Sequence, residues 1–191
     1  CYSVKKRGFD GEAQGLSRQR EEQLGVQGLK SVVILNRYDA DQIDPQVYQR
    51  AKGIVFSEPQ VDLVYDEEFP RPQQPYSLIA VEALPGQFDQ RADSAAQCIQ
   101  LMAGVDRPLI AYAKLHLLEG ELSQGDLEKI RAYLINPVES REASMDKPET
   151  LVRTHPVPDH VETVEGFTQL DEAGLSQLHS RLGLAMDLDD L

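Results

Sequence analysis

Cysteine is scarce in this 191-residue chain: Cys1 and Cys98 stand at unrelated positions, too few for a disulfide framework or a zinc site. A reducing compartment is implied, and the expected location is the cytoplasm. Basic residues are also short, with 19 Lys and Arg against 32 Asp and Glu, a formal charge of −13. Such a chain repels a phosphate backbone, which argues against nucleic acid as its main partner. No apolar run approaches the roughly 20 residues of a membrane helix, so a soluble protein without a membrane role is expected. With 41 % apolar residues the chain can still bury a core. Its length suits one ordinary domain or two small lobes, and is too little for a large multi-step enzyme with its own nucleotide site.

Catalytic signatures are missing as well. There is no P-loop, dinucleotide fingerprint, GxSxG elbow or HExxH pattern. Of His116, His155, His160 and His179, none forms a metal-spaced pair on a helix; His155 and His160 come closest, five residues apart in a proline-broken loop. His116 lies in an apolar strand and reads as structural. Cys98 falls on an apolar helical face with Ala95, Ile99 and Met102, which predicts a buried, inert thiol. No catalytic residue and no metal ligand is assigned.

What the chain does contain is a repeat. Sliding it by 79 positions lays Phe9-Asp10 on Phe88-Asp89, Ala13 on Ala92 and Gly25-Val26 on Gly104-Val105, five identities in the eighteen positions from 9 to 26. Without a gap, Ile43 then falls on Leu122 and Asp44 on Ser123. Asp44 is an N-cap followed by Pro45 at the first helical position, and Ser123 opens a capping box with Asp126. Each copy reads as strand, helix, strand, helix, with room for a further short strand after each helix. The first strands lie at Val4 and at 78–83, and the second at 31–38 and 109–118. The second helices carry Val47, Ala51 and Ile54, or Leu127, Ile130 and Leu134, as buried stripes. Two such small units cover their edges best by pairing sheet to sheet, so the expected fold is α+β, two pseudo-symmetric lobes with an antiparallel sheet.

The repeats fix the predicted boundaries. Residues 1–66 form the first repeat, 67–76 a proline-rich linker and 77–145 the second repeat. From 141 onward there are 11 acidic and 4 basic residues, which predicts an extended surface connection over 146–165. Helix follows over 166–191: Thr168 and Asp171 have capping-box spacing, Leu175, Leu178 and Leu182 recur at helical intervals, and Gly183 offers a stop. Asp187 to Asp190 reads as a second helix start near the final residue. With no leader ahead of Cys1, the chain is expected to be an excerpt of a longer protein.

One stretch, Leu84 to Cys98, crowds Gln87, Asp89, Gln90, Arg91, Asp93, Ser94 and Gln97 around a strand-to-helix turn. Helix capping by Asp89 or Asp93 accounts for the acids. It leaves the glutamines and Arg91 over, and amides that both donate and accept suit a polar interface or a water-lined passage. Asn136 to Ala143 reads as a helix stop in which Arg141 is flanked by acids, an ion pair of small value in solvent.

At these same stretches, LPGQFDQRADSAAQCIQL at 84–101 and YLINPVESREAS at 133–144, the chain closely resembles the N-terminal region of large single-chain phosphoribosylformylglycinamidine synthases. VILNRYD at 33–39, VFSEPQVD at 55–62 and LGLAMDLDDL at 182–191 extend the resemblance over essentially the whole chain. In that family a synthetase core uses ATP and magnesium to activate the formylglycinamide ribonucleotide amide, and a glutaminase with a Cys-His-Glu triad supplies ammonia. The N-terminal region resembles two fused copies of the small PurS subunit and helps to couple the two catalytic parts.

The resemblance implies an assembly and ammonia-coupling role, with 166–191 as the start of a helical linker domain. It implies no cofactor in this segment, the ATP and magnesium sites lying in domains whose motifs are absent here. Gln87, Gln90, Arg91, Asp93 and Ser94 are expected to face the synthetase or the ammonia path, and Asn136, Glu139 and Arg141 a neighbouring interface. FDGEAQG at 9–15 departs from FDQRADS at 88–94, so the motif is expected to act in one copy. Self-association through uncovered interfaces is a further expectation. A regulatory module binding a small metabolite between ferredoxin-like lobes is the rival reading.

Overall fold

The computed structural model describes residues 1–152, 160, 161 and 163–191, without the side chains of 20–24. Two compact units result, Cys1–Val152 and Arg153–Leu191. In the first, β1 (Tyr2–Lys5), α1 (Gly11–Leu24), β2 (Leu29–Asp41), α2 (Pro45–Ile54) and β3 (Asp62–Tyr65) make one set. The second set is β4 (Tyr76–Ala83), α3 (Gln90–Ala103), β5 (Leu109–Gly120), α4 (Gln124–Leu134) and β6 (Ser140–Glu142). Helix starts are local and match their sequence signals. Asp44 accepts from Gln46 N and Val47 N, Ser123 from Asp126 N, and Asp89 from Arg91 N and Ala92 N.

The α+β class expected from the sequence is found, with one antiparallel six-stranded sheet in the order β3-β1-β2-β5-β4-β6. That order maps onto itself when the two sets are exchanged, so the two central strands, β2 and β5, join the copies edge to edge. Helices correspond at the offset of 79, α1 falling on α3 residue for residue. Strands do not. Side chains alternate between faces with period two, so an odd offset would carry Leu35, opposite Leu115, onto Lys114, which points the other way. An offset of 78 carries Tyr2↔Arg37 onto Ala80↔Leu115, and Val4↔Leu63 onto Glu82↔Arg141, all of them paired. The ungapped register read from the sequence therefore needs correction by one residue in the sheet. Between α1 and β2 the one-residue change falls at Lys30, bulged out between Leu29↔Gly120 and Ser31↔Glu119.

The copies are interleaved. One core cluster combines Val26, Leu29 and Val32 of the first with Ile79, Leu118 and Ile130 of the second. Another combines Tyr38, Ala51 and Phe56 with Ala95 and Ile99. Opposite the helices, Leu35, Leu115 and Leu117 are covered by Phe69 and Ala143, the Phe69 ring meeting Tyr2 edge-on at 4.9 Å. The proline-rich segment thus packs an aromatic anchor against the sheet.

Three side-chain expectations need correction. Cys98 is exposed, because the buried stripe of α3 is Ala92, Ala95, Ala96 and Ile99, and Cys98 sits well off its centre. Ile54 is 65 % exposed: α2 ends there, the N–H groups of Val55 and Phe56 both return to the Ala51 carbonyl, and Phe56 takes the core position. In the second unit, Phe167–Gln169 is a 3-10 turn and α5 spans Glu172–Leu182, so the cap is Asp171, accepting from Gly174 N, three residues beyond Thr168. Gly183 ends α5 in the left-handed region as expected, and Asp187 opens a turn closed by Asp190 N. His155, with the rest of 153–159 and residue 162 of the 146–165 connection, lies outside the described residues. Among the described residues no helix is long and apolar enough to cross a membrane.

The segment 144–151 is tied to β2. Arg37 NH1 donates to the Ser144 carbonyl at 2.7 Å, and Asp41 Oδ2 accepts from Leu151 N at 2.9 Å and Thr150 Oγ1 at 2.8 Å. The Leu151 N–H, then the Thr150 hydroxyl, hold the Asp41 carboxyl below its ordinary 3.8. A depressed carboxyl stabilises the fold above its unfolded pKa, and that contribution is lost as pH falls through the folded value. Hydrogen exchange at Leu151 is expected to speed up on acidification below about pH 4, relative to amides at the sheet centre. Asp41→Asn should remove that acid step.

Candidate functional cleft

The Leu84–Cys98 stretch forms the wall of an open cleft of about 970 Å³ on the helical side of the sheet. Its floor comes from alternate β5 residues Tyr112, Lys114 and His116, its walls from the α1 and α3 N-terminal turns, and its end from Tyr133 and Glu139. Leu84-Pro-Gly-Gln makes the turn that lifts Phe88 into solvent, 73 % exposed, with Gln87 N returning to the Leu84 carbonyl. Asp89 is then spent as the cap. The capping reading holds for that acid.

Four of the eight candidate residues meet here: Gln87, Gln90, Arg91 and Glu139. Gln87 Nε2 reaches the Val138 carbonyl at 3.4 Å, bridging the turn to the α4–β6 connection. Glu139 accepts from Asn136 Nδ2 at 2.6 Å, and Asn136 also accepts from Val138 N, so Asn136 shapes that loop without lining the cleft. The others point elsewhere. Asp93 takes Arg107 NH2 at 2.5 Å, Ser94 lines a smaller hollow with Cys98, and Arg141 pairs with Glu82 at 2.7 Å at the sheet edge. The offset of 78 puts the Glu82–Arg141 ion pair where the first copy has the apolar pair Val4 and Leu63.

Arg91 is the central group. Its guanidinium lies 5.4 Å from the Tyr112 ring centroid and donates a long bond, 3.4 Å, to Tyr38 Oη. Burial pushes the Tyr112 hydroxyl pKa up, against the pull of the Arg91 cation, so Tyr112 stays neutral and donates to Asn36 Oδ1 at 2.8 Å. From the other copy, Glu12 receives Lys114 Nζ at 2.7 Å. Glu12 and Arg91 occupy the same position of the two repeats, so opposite charges face each other across the pseudo-twofold centre. The sequence reading missed Glu12, Tyr38, Tyr112 and Lys114. The every-second-residue pattern 112, 114, 116 was the available signal, and only the cross-strand register shows that 36 and 38 share its face.

The cleft offers amides, hydroxyls and both signs of charge around an exposed aromatic, the chemistry of a polar docking surface. Fold and cleft together define a class: an α+β domain of two fused, interleaved repeats with a polar cleft over their seam. No protein-family model matches the chain, and no curated protein matches it.

Proposed function

We propose that this chain is the PurS-like N-terminal assembly and ammonia-coupling domain of a phosphoribosylformylglycinamidine synthase, not catalytic on its own. The observation that carries the reading is the closure of two like β-α-β-α-β repeats into one sheet through β2 and β5, the arrangement a fused PurS dimer requires. The motifs at 84–101 and 133–144 support it by meeting at one cleft, the first on a wall and the second at its end. In this reading the partners are the synthetase and glutaminase domains of the same protein, ATP and magnesium bind there, and the setting is the cytoplasm. Gln87, Gln90, Arg91 and Glu139 grip a catalytic neighbour. Asp93, Ser94, Asn136 and Arg141 support the surrounding loops and edge.

In the full-length enzyme Arg91→Ala is expected to lower glutamine-dependent synthesis by about tenfold while glutaminase turnover changes much less. Parallel assays of amidine formation and glutamate release check this. Equal loss in both, or no loss in either, would reject coupling at Arg91.

A further inference from the structure

The first copy carries its own cleft, smaller and more enclosed, about 560 Å³ and within the usual range for small-molecule sites. Ala13, Val32, Ile34 and Phe56 give it apolar walls, and Phe9 and Ile54 stand at its mouth, 60 % and 65 % exposed. Phe9 and Ile54 correspond to Phe88 and Tyr133 of the larger cleft. An exposed Phe and Ile at the mouth of an apolar hollow leave unburied surface that a ligand body can cover.

The charges there are unequally committed. Asp10 accepts from Gly8 N at 3.0 Å and Gln14 Nε2 at 2.9 Å, and Glu12 is held by Lys114. Asp62 is held by Lys5 at 3.0 Å and by Glu58 N at 2.8 Å. Arg91, entering from the second copy, has five N–H donors and, among the described residues, one long hydrogen bond. Arg7 adds a second cation at the rim and Glu58 one acid. The acids around the hollow are thus mostly spent while the guanidinium fork is mostly open, which selects a negative head group.

We infer that this cleft binds a small organic anion, its apolar body between Phe9, Ile54 and Phe56 and its carboxylate or phosphate head on Arg91. The site is complete within the described chain and does not rest on the assembly role, so its test needs no catalytic domain.

Phenyl phosphate titrated into the 191-residue chain, followed by amide NMR, is the direct test. Saturable shifts at Phe9, Ile54, Phe56 and Arg91 are expected, with a dissociation constant of about 1 mM for a ligand of this size. Inorganic phosphate, the head alone, should bind at least about tenfold more weakly, as should phenyl phosphate to Arg91→Gln. Ile54→Ser, at an exposed position, should weaken binding with the fold unchanged in its amide spectrum. Overturning results are shifts confined to Phe88 and Tyr133, equal affinity for Arg91→Gln, phosphate binding as well as its phenyl ester, or no saturation up to about 20 mM.

Discussion

Gly120→Ala is expected to destabilise the first unit by about 3 kcal/mol or more, measured as a lowered urea midpoint with an unchanged slope. Gly120 ends β5 at φ +134°, where side chains are rarely accommodated, and an added Cβ would run into the Gly28 carbonyl oxygen. Gly28 is itself at φ +85°, and a Cβ there would meet the Glu121 carbonyl oxygen. The two glycines lie where Leu29 faces Gly120, beside the bulged Lys30, so each lets the other's backbone pass at the end of the β2–β5 ladder. Both neighbours are backbone, so neither can swing aside. Gly15→Ala is the contrast: it lies inside α1 with open space at its Cβ position and should stabilise by about 0.5–1 kcal/mol. If the two substitutions have the same sign and size, the close approach does not govern this joint.

That joint also shows where sequence reading stops. Asp44-Pro45, Ser123 with Asp126, and Gly183 could be placed from sequence because a cap or stop is settled within three or four residues. The long β2 and β5 were legible from their aliphatic content. The sheet offset was not, because identities cluster in the helical and turn positions, which keep 79, while strand pairing obeys a period of two and keeps 78. The polar stretch at 84–98 was legible as unusual, yet its role was not divisible there: Asp89 is a cap, Asp93 turns toward Arg107, and Gln87, Gln90 and Arg91 reach the cleft. Arg91's partners Tyr38 and Tyr112 lie 53 and 21 positions away along the chain, and only the fold brings them together. The Cys98 error had a simpler origin. In α3 three alanines and Ile99 suffice to pack against the sheet, so the stripe is narrower than the run of apolar letters suggested.

The interleaving of the copies leads to the second large expected effect. Leu118 belongs to the second copy, is fully buried, and lies opposite Val32 of the first within the cluster of Val26, Leu29, Ile79 and Ile130. Leu118→Ala removes three heavy atoms from a site walled by both copies, so neither can close the void by moving its own helix alone. A loss of about 3–4 kcal/mol is expected, a large part of the stability of a domain this size. Because the residue is shared, that loss should appear in both copies at once, with one cooperative urea transition and equal loss of hydrogen-exchange protection at Asn36, whose amide faces β1, and at Lys114, whose amide faces β4. Two independent lobes joined only along their edges would behave otherwise. Lys114 would lose protection while Asn36 kept it, and the transition would split. The outcome bears on any role in coupling larger domains, since only a unit whose halves fold as one can pass strain from a neighbour on one side of the seam to a neighbour on the other.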